Sequence, residues 1–301
     1  MHDIINNFIQ YLNDNTAALY LLIAVLGLCI GSFLNVVIYR SVLIMQYEWE
    51  QECQALLEPT ATTAPVSPST ATTATVSPIS LSLPASHCPQ CKHSIRWYDN
   101  LPVLSWLLLK GQCRYCHEAI GLRYPLIELL TMLASLAVVH VYGPTWAMLA
   151  GLGFTWMLIA LTFIDFDSQL LPDRYTLPLA AAGLLVNSFG LYQISASQAI
   201  WGYVIGFLSL WSVYYIFKKI TGKEGMGYGD FKLLAALGAW LGPLMLPLVI
   251  LLSSFVGAMI GLLLLKVRKE NLPFAFGPYL AIAGWVAFLW GEQLMALYLG
   301  Y

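Results

Sequence analysis

Charge is what this sequence lacks most. Asp, Glu, Lys and Arg supply only 10% of its 301 residues, where a water-soluble domain carries about 25%. A chain this poor in charge, and 59% hydrophobic, cannot be wetted on all sides, so the pair of soluble domains that its length would otherwise suggest is excluded. The formal net charge of −2 favours no polyanion, and no basic stripe with interleaved aromatics is present, so no nucleic-acid partner is expected. No Gly-x-Gly-x-x-Gly follows a strand pattern, so a local nucleotide-binding fingerprint is missing too. Nothing basic precedes the first apolar run and no small-residue cleavage site follows it, so a cleaved signal peptide is not expected.

What the sequence has instead is long apolar runs. Eight candidate membrane spans can be drawn, at about 17–39, 125–142, 144–164, 175–192, 197–217, 230–243, 245–265 and 275–298. Each approaches the ~20 residues a bilayer requires, with 230–243 the shortest. Eight crossings put every Lys and Arg, from Arg40 to Lys269, on one side, while the N-terminal arm carries Asp3 and Asp14. Basic loops stay in the cytoplasm, so both termini are expected outside. The fold class read from this is an all-α polytopic membrane protein of about eight transmembrane helices, lodged in the lipid bilayer, with a cytoplasmic zinc-binding loop domain. Its divisions are 1–40 (outward arm and first span), 41–124 (cytoplasmic loop domain) and 125–301 (membrane domain).

Acids inside such a chain are conspicuous, because a charge entering hydrocarbon loses its hydration. Gly225-Met226-Gly227-Tyr228-Gly229-Asp230-Phe231-Lys232 puts Asp230 at the mouth of the sixth span. The alternating glycines remove every second side chain before it, so that another backbone can come close. Asp165-Phe166-Asp167, followed by Leu171-Pro172-Asp173, ends the third span. By the alternating topology the third span descends to the cytoplasm and the sixth rises from it, so Asp165 and Asp230 lie at similar depth and form the expected catalytic pair. Asp167, Asp173, Gly227, Gly229 and Lys232 are supporting residues, Asp173 with Arg174 or the start of the next helix as its partner. Glu128, in the first turns of the second span, also joins them. The helix dipole is a sufficient structural reason for an acid there, and an intramembrane acid is equally a functional candidate.

Residues 41–124 hold the only large extramembrane region. Tyr47–Glu52 reads as an exposed acidic helix, and residues 59–86, rich in Thr, Ala, Pro and Ser, as a flexible insert that buries too little to order itself. Cys88-Pro89-Gln90-Cys91 and Cys113-Arg114-Tyr115-Cys116 stand 21 residues apart. Cys88, Cys91, Cys113 and Cys116 offer four thiolates in the arrangement a structural zinc takes. Disulfides or a redox pair are the alternatives, and the expected cytoplasmic side of the loop argues against them. Four cysteine ligands leave a zinc site closed, so the metal braces the loop.

Two carboxylates held close cannot both ionise cheaply, so one keeps a proton and the pair titrates as a unit. The ionised member can take a proton from water while the neutral one donates to a scissile carbonyl, as in an aspartic protease. A transporter or proton channel is the competing reading, but these acids sit at one rim and no inverted repeat is visible. A scaffold recruiting partners through the zinc loop is a third.

Taken together, Gly31-Ser32-Phe33-Leu34-Asn35 through Arg40, the paired Cys-x-x-Cys, Arg123-Tyr124-Pro125 through Glu128, Asp165 through Asp173 and Gly225 through Leu234 resemble the type IV prepilin peptidases in the same order. The resemblance runs from about residue 17 to 290. It implies an inner-membrane enzyme with its active site facing the cytoplasm. Such an enzyme cleaves the basic leader of type IV prepilins or type II secretion pseudopilins, using Asp165 and Asp230. It then methylates the new N-terminal residue with S-adenosylmethionine. Methylation rests on the resemblance alone.

Overall fold

The computed structural model describes residues 14–57, 80–81, 85–223, 225–268 and 275–299. Among them the helices are α1 (Thr16–Leu57), α2 (Leu104–Leu108), α3 (Arg123–Tyr142), α4 (Trp146–Ser168), α5 (Asp173–Ser188), α6 (Ala196–Thr221), α7 (Tyr228–Leu241), α8 (Leu246–Arg268) and α9 (Gly277–Leu299). No strand occurs among the described residues, only two isolated β-bridges in the cysteine loop. The chain is an all-α membrane protein. The N-terminal arm and most of the 59–86 insert lie outside the described residues.

Among the described residues six helices, α1, α3, α4, α6, α8 and α9, are long and apolar enough to cross a membrane. The sequence leads to eight spans. The remaining two, α5 and α7, have 16 and 14 residues. At 1.5 Å per residue α7 is about 21 Å long, less than the ~30 Å of a bilayer core. Its surroundings explain how it can be short: from Asp230 to Leu241 only Lys232 is not buried. Helices α5, α6 and α9 pack around it, and protein rather than lipid can satisfy whatever backbone a short helix leaves open.

Close packing around α7 depends on glycine. Gly202 of α6 meets Gly238 of α7 backbone to backbone, and a Cβ on either would strike the carbonyl of the other. One turn along, a Cβ on Gly206 would lie 2.6 Å from the Leu234 carbonyl oxygen. Without a hydrophobic drive between helices in lipid, such small-residue seams give the dispersion contact that holds them. The same device joins α1 to α3, where a Cβ at Gly31 would come within 2.6 Å of the Glu128 Cα.

Helix α1, at 42 residues and roughly 63 Å, outruns any bilayer. Its second half carries Tyr47–Glu52 away as an uninterrupted extension, with Glu48 and Glu50 exposed. Opposite the loop side, Phe154, Trp240 and Phe288 form an aromatic core with ring centroids 4.6–6.2 Å apart. Trp240 donates to the Leu179 carbonyl at 2.8 Å, which ties α7 to α5.

Candidate active site

Helix α4 ends one turn after Asp165. Gln169 turns into the left-handed region (φ 55°) and its N–H returns to the Asp165 carbonyl at 2.8 Å. The Ser168 hydroxyl closes on the Ile164 carbonyl at 2.8 Å. Both bonds satisfy last-turn carbonyls that would otherwise lack partners, and they fix the residue whose side chain points inward. Asp165 is 4% exposed.

Helix α7 starts from Gly227, extended at φ −77° and ψ 147°, and Asp230 occupies its first turn, where the helix dipole favours an acid. Asp230 is 7% exposed, and Leu171 links the two acids, packing against Gly229 beside Asp230 and against Gly277 at the Asp165 carboxylate. The glycines before it differ in need. A Cβ at Gly229 would lie 2.7 Å from the Leu171 Cβ, whereas one at Gly227 would meet nothing nearer than the Asp230 Oδ2 at 4.0 Å. Gly229 admits the strap between α4 and α5; Gly227 opens the helix.

A third backbone closes the site. Gly277, the first residue of α9, lies against the Asp165 carboxylate: a Cβ there would stand 2.6 Å from Oδ2 and 2.9 Å from the Leu171 Cδ1. Oδ2 itself is buried with no hydrogen-bond partner among the described residues. A buried orphan oxygen in a carboxylate is unusual enough to require a reason, and a water or a shared proton between the two acids supplies one.

The other acids stand apart from this pair. Asp167 is gripped by Arg123 through two bonds of 2.7 and 2.6 Å, with the Arg123 guanidinium also over the Phe163 ring. Asp173 pairs with Lys232 at 2.6 Å rather than with Arg174, which instead meets Glu48 at 2.5 Å. Lys232 therefore neutralises Asp173, pinning the start of α5 to α7. Glu128 stands between α1 and the loop, where it accepts from the Val103 N–H at 2.7 Å. In the sequence Arg123 reads as a helix start and Gly277-Pro278 as a glycine-proline break, an irregular helix entry near the active face or a matter of packing alone. The structure sets Gly277 against Asp165 and Arg123 against Asp167.

In the loop, the two cysteine knuckles have one geometry. Cys88 N–H donates to His93 O and Cys113 N–H to Glu118 O, at 2.9 and 2.8 Å; Lys92 and His117 return to Cys88 and Cys113 at 2.9 and 3.0 Å. Lys92 and His117 both take φ near 58°. The four sulfurs lie within 4.8 Å of one another, and Cys88 Sγ is 3.8 Å from Cys116 Sγ. Tetrahedral zinc with ~2.3 Å bonds needs sulfurs about 3.8 Å apart. Backbone N–H groups of Cys91 and Gln90 aimed at Cys88 pull its thiol down to about 6. The donor set and its spacing fit a metal ion.

Residues 25–142 match the bacterial peptidase A24 N-terminal domain, and residues 152–262 match the type IV leader peptidase family. The chain belongs to the type IV leader peptidase family. Relatives named prepilin leader peptidase/N-methyltransferase include one of Stutzerimonas stutzeri, 50% identical over 293 residues and covering 97% of both chains. That of Aeromonas hydrophila is 51% identical over 280 residues, 92% of this chain and 93% of the relative. That of Pseudomonas aeruginosa is 49% identical over 297 residues, 97% of each. No solved structure matches. In this type IV leader peptidase the first matched segment holds the four cysteines, Arg123 and Glu128, and the second holds both buried aspartates. Membership in a peptidase family makes the chain an enzyme, and its membrane helices suit an inner-membrane protein.

Proposed function

We propose that this chain cleaves the basic leader from type IV prepilins or type II secretion pseudopilins with Asp165 and Asp230, and then methylates the new N-terminal amine using S-adenosylmethionine. The observation that carries the peptidase reading is two buried aspartates, from the end of α4 and the start of α7, brought around the same Leu171, with the Asp165 Oδ2 left without a partner among the described residues.

The chemistry follows from that placement. A water between the carboxyl groups loses a proton to the ionised member and attacks the scissile carbonyl carbon, while the neutral member protonates the carbonyl oxygen. Collapse of the tetrahedral species returns a proton to the leaving amine and breaks the C–N bond. No covalent intermediate forms. Leu171 and Gly277 pack beside the pair, which is almost wholly buried, and burial strengthens the electrostatics inside. The substrate's apolar helix lies in the bilayer beside the enzyme and presents its leader junction at the rim.

Cys88, Cys91, Cys113 and Cys116 would hold one zinc, with no open position for chemistry. S-adenosylmethionine supplies the methyl group. Both termini are placed on the periplasmic side by the basic loops. Against a transporter stands the position of the acids, at helix ends rather than along a path between helices. Incubating purified protein with a prepilin and weighing the product N-terminus tests the whole reading. A mature, methylated terminus supports it, and an intact leader contradicts it.

A further inference from the structure

Away from the dyad, a cavity of about 550 Å³ opens between α1, the first turns of α3 and the cysteine loop. That volume suits a nucleoside-sized ligand. Glu128 lines it with Ser32, Asn35, Arg40, Trp106 and Tyr115. We propose that this cavity is the methyl-donor site, taking a nucleoside sulfonium, with Glu128 as the counter-charge of the sulfonium. The proposal rests on the two-activity reading above and deepens it.

Three observations support it. Glu128 is only 7% exposed and accepts one hydrogen bond, from the Val103 N–H, yet no Lys, Arg or His pairs with it among the described residues. A buried carboxylate without a cation is costly, and a cationic ligand removes that cost. The N–H that meets Glu128 belongs to Val103, held at φ 57° and ψ −46°, a backbone that β-branched residues rarely adopt. Such a backbone costs energy and recurs at ligand clamps, and here it aims one N–H at Glu128. The remaining lining suits the rest of such a donor, since the aromatic rings of Trp106 and Tyr115 border the cavity and a base packs against aromatic rings.

Position also fits. Helix α3 carries both boundaries: Arg123 bridges to Asp167 beside the dyad, Ile127 packs in one cluster with Ile164, and Glu128 faces the cavity. An amine freed at the dyad has to pass only the first turns of α3. There its lone pair forms the N–C bond as the C–S bond breaks. Sulfur keeps the electron pair and leaves as a neutral thioether, and the amine's proton passes to water.

The test uses the full chain in lipid nanodiscs. Equilibrium binding of S-adenosylmethionine and of its neutral thioether product, S-adenosylhomocysteine, is measured for wild type, Glu128→Gln and a cavity-filling Val36→Trp. Mass spectrometry gives the methylated fraction of the cleaved termini for each. Glu128→Gln is expected to weaken sulfonium binding about tenfold or more while changing thioether binding little, and to lower the methylated fraction. Val36→Trp is expected to weaken both ligands. Unchanged sulfonium affinity and methylated fraction in both variants overturn the site while leaving the two-activity reading intact. A wild type that cleaves but neither binds donor nor methylates overturns that reading, and this inference with it. Loss of both ligands equally in Glu128→Gln overturns the counter-charge role.

Discussion

Arg123, at the first position of α3, clamps Asp167 with two parallel hydrogen bonds of 2.7 and 2.6 Å, and Asp167 is two residues beyond the buried Asp165. The clamp ties the end of the cysteine loop to the end of α4. Both side chains are partly exposed, at 44% and 27%, so the pair is worth little to global stability, about 0.5 kcal/mol. Its effect is expected in geometry. Arg123→Lys keeps the charge and loses the planar fork. It is expected to lower kcat several-fold with KM little changed, and Arg123→Ala about tenfold or more. Steady-state cleavage of a prepilin peptide reads both. Wild-type kcat in Arg123→Ala contradicts the positioning role.

Gly277→Ala places a methyl group against the Asp165 Oδ2 and the Leu171 Cδ1. Displacing a reacting group by as little as 1 Å can cost about 10²-fold, so cleavage is expected to fall by that order while helix content holds. Gly153→Ala, in the same helix as Asp165 but with nothing within 4 Å, serves as the control with a wild-type rate.

The seam between α6 and α7 has no room for a side chain at Gly202 or Gly238. Overpacking of this kind costs about 1–3 kcal/mol, and a backbone-to-backbone contact has less freedom to yield than a side-chain one. Gly238→Val is expected to lower the unfolding temperature clearly in detergent. Gly261→Val, in open space on α8, is expected to shift it far less. Equal shifts would mean that the seam is not a stabilising contact.

The four-sulfur cluster is expected to carry one zinc per chain by elemental analysis, and Cys113→Ser to lose most of it. Without metal, the loop around Lys92, Arg96, Lys110 and Arg114 is expected to become cleavable by trypsin. If chelation leaves trypsin resistance, prepilin cleavage and methylation all untouched, the bracing role is wrong.

How far the sequence discloses this architecture depends on the range of the interaction. Membrane helices could be read because apolar runs are local, and the cysteine knuckles because both pairs share one spacing. Asp165 and Asp230 stood out because acids are rare in such surroundings. The count of eight spans is confirmed for six by length and composition, while α7 is short for a bilayer and enclosed by protein, which depends on α5, α6 and α9 arriving around it. The extension of α1 to Leu57 follows from the absence of Gly and Pro between Ser41 and Leu57, although hydropathy alone stops near Arg40. Asp173 illustrates the limit. Arg174 is its neighbour in sequence, but Lys232, 59 residues away, reaches it, because α5 and α7 start side by side. Gly277 against Asp165 and Arg123 against Asp167 are likewise products of helix docking.

The most direct measurement of the central claim is prepilin cleavage by Asp165→Asn and Asp230→Asn, each purified and shown to keep wild-type helix content. The pair acts as a unit, so either change alone is expected to abolish turnover, by about 10³-fold or more. A wild-type rate in either folded variant would contradict the assignment of the two aspartates as the catalytic pair.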